Sequence, residues 1–436
     1  MITVTKFGGS SVANATQFKK VKNIIESDSK RKVVVVSAPG KRFSEDTKIT
    51  DMLYLLSSHV KYHIDYTVIL NQIFDRYIEI SNDLQLDFDF NKEKEILVEN
   101  IKRGMGEDYI VSRGEYLCAK LMAKYLGFTF VDSTEMIFTN FNGKLDKQKT
   151  KQAIIEKFTE YKNIVVPGFY SAYPTGEIHL FSRGGSDITG SIMAMGVKAE
   201  KYENWTDVSG ILVTDPRIVK NPKKIKEISY DELRELSYMG ASVLHEETIY
   251  PIKEDNIPIY ILNTNRPEDE GTVICREVKD NPDCFVTGIS GKKNFRAFTI
   301  VKKMSRGKLA IIREVLNVFD KYGIDVEHIP TAVDSFTIVV NGKGTEKITY
   351  DLISDIKNID GILSVEVDND LSLVAVVGSN MVLKPGISGT IFSVFGKNDI
   401  NIKTISQGIK EFDIIVGVSN NDFEKAIKAL YDGLVI

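Results

Sequence analysis

Residues 32–40 read "KVVVVSAPG", and four adjacent valines between a lysine and a proline-glycine stop leave few options. A strand with one face in water would alternate polar and apolar residues, so this run predicts a strand buried on both sides, as in a parallel sheet covered by helices. The preceding residues support that reading. "MITVTKF" forms a strand, and Phe18, Val21 and Ile25 recur at helical spacing, so the chain opens as a β-α-β unit. The same rhythm returns in "FTFVDS", "NIVVPGFY", the helix-like stretch Ile188 to Lys198, "KYENWTDVSGILVTD", "VLHEETIYPIKEDN" and "IPIYILN". An α/β domain with a largely parallel central sheet is therefore expected over residues 1–284. Within it, residues 51–110 have helical spacing and few breakers, predicting a helical subdomain on one edge.

Beyond residue 285 the texture changes to short strands and single helices, and the chain repeats itself. "VFDKYGIDVEHI" (318–329) aligns without a gap on "VFGKNDINIKTI" (394–405), and the same offset of 76 puts "FTIVV" (336–340) on "FDIIV" (412–416). A register shared through a helix end and a later strand predicts a tandem of two small α/β modules. Each reads strand, glycine loop, helix, strand, strand, helix. The chain order predicts interlocking: "CFVTGIS" joins the second module (285–293 and 368–436), and the first is inserted at 294–367.

Two to three domains suit 436 residues. With 43% hydrophobic and 27% charged residues and a formal net charge of −4, the composition is that of a soluble globular protein, and it argues against nucleic acid or an anionic membrane as partner. Cys118, Cys275 and Cys284 lack disulfide or metal-ligand spacing, and no signal pattern or membrane-length apolar run is present, so the cytoplasm is expected. The five histidines form no HExxH pattern; His245 merely precedes two glutamates.

Two glycine corners carry the chemistry. In "KFGGSSVA" (6–13) a lysine precedes paired glycines where strand hands over to helix; bare amides, a helix N-terminus and a mobile cation suit a polyphosphate. A plain structural turn beside a solvated lysine fits the same residues. "FSRGGSDITG" (181–190) repeats the arrangement with Arg183, Ser186 and Asp187. Facing corners of this kind could clamp a phosphoryl group and its acceptor, which is most of what phosphoryl transfer asks of a protein; Ser186 and Asp187 could equally cap the helix. In "VSRGEYLC", Ser112 and Glu115 match a capping box. "WTDVSGILVTDPRIV" offers Thr206, Asp207, Asp215 and Arg217 around a glycine turn for nucleotide or metal contacts, and Asp215-Pro216 fits a simple turn initiator equally well.

Taken together, "KFGGSSVA", "SRGE", "SRGGSDITG", "WTDVSGILVTDPR" and "MGASVLHEETIYP" resemble the aspartate kinases of the amino acid kinase family, and the tandem resembles their paired ACT modules. The resemblance covers essentially the whole chain. It implies a three-layer α/β/α kinase domain followed by two ferredoxin-like α+β modules, with ATP, Mg²⁺ and L-aspartate as ligands. By it, Lys6, Phe7, Gly8, Gly9, Ser10 and Ser37 match the segment at the phosphates. Asp187 matches the aspartate that organises the catalytic lysines, and Arg183 the arginine on the substrate α-carboxylate, with Ser186 beside it. Glu115 matches the carboxylate at the substrate amino group, in place of a cap, and Thr50 in "KITDML" a threonine of the substrate site. Thr206, Asp207, Leu212, Arg217 and Ser242 fall at nucleotide positions. Ser242 stands where many members carry lysine, and Leu212 where tyrosine is usual.

The resemblance further implies dimers, or dimers of dimers, through the ACT modules, and an end-product amino acid as effector, lysine first and threonine second. Ser305, Leu309, Val326, Glu327 and Thr331 are the effector-site candidates; the neighbouring Lys308 stands where an apolar residue is frequent. A related kinase of another carboxylate or carbamate, or a catalytically silent amino-acid sensor, are the alternatives.

Overall fold

The computed structural model describes residues 1–436 apart from 183, 242, 243, 245, 279–284, 304–306, 380, 382, 383, 409–411 and 436. In chain order the first part runs β1 (Thr3–Phe7), α1 (Ala15–Glu26), β2 (Arg31–Val36), α2 (Ile49–Lys61), α3 (Thr67–Asp83), α4 (Phe90–Lys102), α5 (Glu107–Leu126), β3 (Thr129–Phe130), α6 (Lys147–Tyr161), β4 (Ile164–Pro167), β5 (Tyr170–Ala172), β6 (Ile178–Leu180), α7 (Gly185–Gly196), β7 (Lys201–Thr206), β8 (Glu227–Ser229), α8 (Tyr230–Tyr238), α9 (Glu246–Lys253), β9 (Ile259–Asn263) and β10 (Thr272–Cys275).

Eight of these strands form one sheet in the order β3-β4-β2-β1-β7-β9-β10-β8, with β5 and β6 as a separate hairpin. All of its pairings are parallel except β9 with β10. The four valines lie in β2, fully buried, because β1 and β4 flank the strand and helices cover both faces. Phe7, Phe18, Val21, Ile24, Val34 and Val36 share one core with the inward faces of α2 to α5. The helical subdomain thus comprises α2 to α4, while α5 packs directly on β2, β3 and β4.

The second part runs β11 (Gly288–Lys302), α10 (Lys308–Lys321), β12 (Val326–His328), β13 (Ser335–Asn341), α11 (Thr349–Lys357), β14 (Ile362–Val377), α12 (Ile387–Lys397), β15 (Thr404–Ser406), β16 (Asp413–Val418) and α13 (Phe423–Leu434). Its sheet has the order β12-β13-β11-β14-β16-β15. The two long strands are shared. Gly288–Lys292 pairs with the far end of β14 down to Leu373, and Phe295–Lys302 with its near end, Leu371 to Ile362. Around the near halves, Phe298, Ile300, Ile311, Val315, Phe319, Phe336 and Leu352 close a core of their own.

Compactness divides the chain into residues 1–211, 226–230 and 243–278, and residues 212–225, 231–242 and 279–436. Chain order alone suggests a boundary at 284. Two short stretches before it lie with the second unit because they bond there: Ile289 N donates to Val213 O at 2.7 Å, Lys223 N to the Tyr431 hydroxyl, and Ser290 Oγ to Met239 O. Among the described residues no helix is long and apolar enough to cross a membrane. Cys118 is buried, and neither it nor Cys275 is in a disulfide.

Candidate active site

The parallel strands of the first unit end nearly level. Phe7 is paired with Val36 and with Trp205, Val36 with Pro167, and Thr206 with Asn263. From β1 the order proceeds through β2, β4 and β3 on one side and through β7 and β9 on the other. The crevice between β1 and β7, at the carboxyl ends, is therefore the switch point where open α/β sheets bind ligands.

Three polar side chains meet there. Lys6 on β1 is paired in register with Asn204 on β7, so both project from the same face. Lys6 Nζ lies 2.5 Å from Asp187 Oδ1 and donates to Asn204 Oδ1 at 3.4 Å. Asn204 Nδ2 donates to Asp187 Oδ1 at 3.0 Å. Lys6 is only 7% exposed; a buried ammonium needs such a counter-charge. Two of its three protons are thereby directed, which leaves one for an incoming oxygen.

The first glycine corner wraps this cation. Gly8 N donates to Trp205 O at 3.0 Å and Ser37 N to Phe7 O at 3.1 Å, so Phe7 reaches the corner only through its backbone. Its ring stacks on Trp205 with centroids 6.1 Å apart. Gly9 and Gly40 press backbone on backbone: Gly40 N donates to Gly9 O at 2.8 Å, and a methyl group on Gly40 would sit 2.7 Å from the Gly9 carbonyl carbon. The helix expected directly after the glycines is displaced. A single 3-10 turn, Gly9–Val12, containing Ser10, comes first, and α1 starts at Ala15 with Asn14 capping Gln17 N. Dipole and amides at the corner thus belong to that turn.

At the second corner Gly184 adopts φ 79° as the cap residue of α7, with no side-chain cap bond. Asp187 and Ser186 therefore do not cap the helix. Asp187 turns to Lys6 and Asn204, and among the described residues no side chain caps the helix start, which suits an anion. Ser186 is buried, and a methyl group on Gly168 would meet its Cβ and Oγ at 2.6 Å, so this helix start is seated on the turn after β4. Arg183 lies outside the described residues.

The capping-box pattern at Ser112 and Glu115 does not form a cap. Helix α5 begins at Glu107 behind Gly106, six residues earlier than that pattern requires, and Ser112 Oγ donates to Tyr109 O within the helix. Glu115 instead points inward, 4% exposed, where the Ala38 backbone bonds it; burial pushes its carboxyl up to about 7. Its Oε2 is buried without a partner. Ala38 belongs to the same turn as Ser37 and Gly40, so Glu115 borders the first glycine corner. Thr50 is the second residue of α2, whose start is tied down by Ile49 N donating to Pro39 O at 3.3 Å.

The remaining candidates lie on several elements. Thr206 Oγ1 donates to Asp207 Oδ1 at the end of β7, and Asn263 Nδ2 donates to Asp207 O. Leu212 and Arg217 belong to the second unit; Leu212 bridges Lys224, and Arg217 is ion-paired with Asp215 at 2.6 Å. Ser242 and Ser305 lie outside the described residues. Leu309 is exposed on α10, Val326 and Glu327 are on the edge strand β12, and Thr331 bridges Phe336. Glu327 accepts from the Tyr238 hydroxyl. Sequence reasoning missed Asn204, Gly40 and Gly168; the polar pair Glu203-Asn204 inside a buried strand was the available signal for the first.

Known proteins resolve the family. Residues 1–263 match the model of the amino acid kinase family, and residues 374–434 that of the ACT domain. Aspartokinase 3 of Bacillus subtilis is 34% identical over 446 residues, covering 98% of this chain and 97% of that one. The chain belongs to the amino acid kinase family, among its aspartate kinases. The crystal structure of Clostridium acetobutylicum aspartate kinase superposes on this aspartate kinase with a TM-score of 0.94 at 46% identity, over 99% of this chain and 100% of that one. E. coli aspartokinase III in complex with lysine and aspartate does so with a TM-score of 0.77 at 26% identity, over the full length of both chains. The two-part architecture expected from the sequence, a largely parallel α/β kinase fold followed by ACT domains, is what these matches bear out.

Proposed function

We propose that the protein transfers the γ-phosphoryl group of Mg²⁺-ATP to the side-chain carboxylate of L-aspartate. A carboxylate oxygen forms the new bond to the γ-phosphorus as the bond from that phosphorus to the β,γ-bridging oxygen breaks. ADP leaves with the electron pair, and 4-phospho-L-aspartate remains. The observation that carries this reading is the buried Lys6, Asp187 and Asn204 cluster at the switch point. Aspartate's carboxylate is ionised at neutral pH, so the nucleophile needs no general base. The protein's task is to position the two substrates and to neutralise charge on the phosphates. Lys6 supplies the mobile cation, the turns at Gly8, Gly9, Ser10 and Ser37 the phosphate-facing amides, and Asp187 holds Lys6 in place.

Among the described residues no group of three His, Cys, Asp or Glu side chains is placed to hold a metal ion; Mg²⁺ enters with the triphosphate as part of that substrate. Ser186, Thr50 and Glu115 are assigned to aspartate, with Arg183 on its α-carboxylate, and Thr206, Asp207, Leu212, Arg217 and Ser242 to the nucleotide. The test is aspartate-dependent acyl phosphate formation trapped as the hydroxamate. Glutamate or acetylglutamate as the preferred acceptor would overturn the assignment.

Glu115 gives this site a pH dependence. In the free enzyme its carboxyl titrates near 7 because it is buried, and the ionised form is the one that binds a substrate ammonium. kcat/KM for aspartate is therefore expected to fall about tenfold per pH unit below about 7. Glu115→Gln should have a lower value and no such limb; a limb unchanged in that variant would remove Glu115 from the substrate site. The same group shapes stability. The native state holds this proton where the unfolded chain has released it, so the folded protein loses stability as pH rises from about 4.5 to about 7.

The reading extends to regulation. The reaction would open lysine, threonine and methionine biosynthesis in the cytoplasm, with ACT modules joining chains as homodimers or dimers of dimers. Lysine would act at Leu309 on α10, Val326 and Glu327 on β12, and Thr331, together with Ser305. The lysine and aspartate bound together in the E. coli aspartokinase III complex support this choice. Titrating activity with lysine is expected to give inhibition at millimolar concentration or below; insensitivity to lysine and threonine alike would defeat it.

A further inference from the structure

Helix α3 sends one cation out of the helical subdomain and into the walls of the phosphate corner. Arg76 is 5% exposed, and each of its terminal nitrogens has two acceptors. Nη1 donates to Asp46 Oδ2 at 3.0 Å and to Thr47 O at 3.3 Å. Nη2 donates to Gly40 O at 2.9 Å and to Ala13 O at 3.5 Å. Ala13 closes the 3-10 turn that follows Gly9, Gly40 lies against Gly9, and Thr47 stands just before α2.

We propose that Arg76 is a positioning residue for phosphoryl transfer, holding Gly40, and through it the Gly9 amide, in the place where nucleotide phosphates bind. This rests on the function proposed above. The physical case has three parts. Burying a guanidinium is costly, and a residue needed only for packing would be apolar. Its four acceptors all lie on the segments flanking the cradle, none on α3 itself. And the planar fork fixes direction as well as distance: two nitrogens of one rigid group reach both sides of the corner, which a single ammonium cannot do. Gly40 carries the effect onward, since its amide is bonded to Gly9 O at 2.8 Å and no side chain separates the two backbones. Displacing such a corner by an ångström is enough to cost about a hundredfold in rate.

The experiment compares wild type with Arg76→Lys, Arg76→Met and Arg42→Ala. Arg42 also grips Asp46, at 2.9 Å, but no bond of it to Gly40, Thr47 or Ala13 is present. Each variant is measured for thermal melting, for MgADP affinity by titration calorimetry, and for kcat and KM toward both substrates. Arg76→Lys is expected to remain folded, to bind MgADP about tenfold more weakly, and to lose about tenfold in kcat, with the aspartate KM within about twofold. Arg76→Met should be worse on both nucleotide measures, and Arg42→Ala within twofold of wild type. Equal losses for both substrates, unchanged nucleotide affinity in a folded Arg76→Lys, or failure of both Arg76 variants to fold would overturn the proposal and leave Arg76 a packing residue. MgADP affinity keeps the two readings separable: a wild type that binds MgADP yet phosphorylates no aspartate would refute the proposed reaction, while the variants' affinities would still decide the role of Arg76.

Discussion

Replacing Lys6 by methionine is expected to lower kcat about a thousandfold, the size of effect found when a group stabilising transition-state charge is removed. Methionine keeps the unbranched stem of this buried side chain, so packing changes little and the ammonium alone is lost. The aspartate KM should stay within about threefold, because the proposed function assigns Lys6 to the phosphates. The variant leaves Asp187 and Asn204 facing each other without the cation that orders them. Asp187→Asn should therefore share most of the loss, and the double variant should be little worse than Lys6→Met alone, as for residues that act as one unit. Hydroxamate formation at saturating aspartate measures this directly. A Lys6→Met enzyme within tenfold of wild type would show that the cluster only braces the sheet.

The second large effect is expected from a single methyl group. In Gly40→Ala the new carbon would lie 2.7 Å from the Gly9 carbonyl carbon, and 2.9 Å from both Gly9 O and Ser10 N. All three are backbone atoms, so no rotamer can relieve the contact and the corner itself must open. Since the proposed function assigns Gly9 and Ser10 to the phosphates, kcat/KM for ATP should fall about a hundredfold. Melting should change less than for a buried cavity, because the strain is confined to two turns. Gly389→Ala on α12, where a methyl group meets nothing within 4 Å, serves as the matched control. Normal ATP kinetics in Gly40→Ala would mean that the nucleotide does not lie on this corner.

The parallel sheet, the helical stretch between β2 and β3, and the doubled C-terminal module were legible before any coordinates. Each is written in a local or periodic pattern: four valines in a row, apolar residues at helical spacing, and a register that repeats after 76 residues. Lys6 and the second glycine corner were legible as chemistry for the same reason, since lysine, glycine and aspartate sit within a few residues of a strand-to-helix junction. Ser112 and Glu115 show where such reading fails. A serine followed three positions later by glutamate has one local pattern whether it starts a helix or lies inside one, and only the earlier start of α5 and the burial of Glu115 beside Ala38 separate the two.

Amino-acid order by itself determined which segments become strands and helices and which of them carry cationic or glycine-rich turns, because propensity, periodicity and backbone freedom act over a handful of neighbours. It did not determine who meets whom. Lys6 touches Asn204 across 198 positions, and Arg76 reaches Gly40 across 36; these encounters follow from the order in which the strands enter the sheet. Only the folded chain decided that an asparagine on β7 would share a carboxylate with the lysine, and that an arginine from the helical subdomain would bond the Gly40 carbonyl. The reason is physical: a buried charge is tolerated only where partners converge from several segments at once, and that convergence belongs to topology.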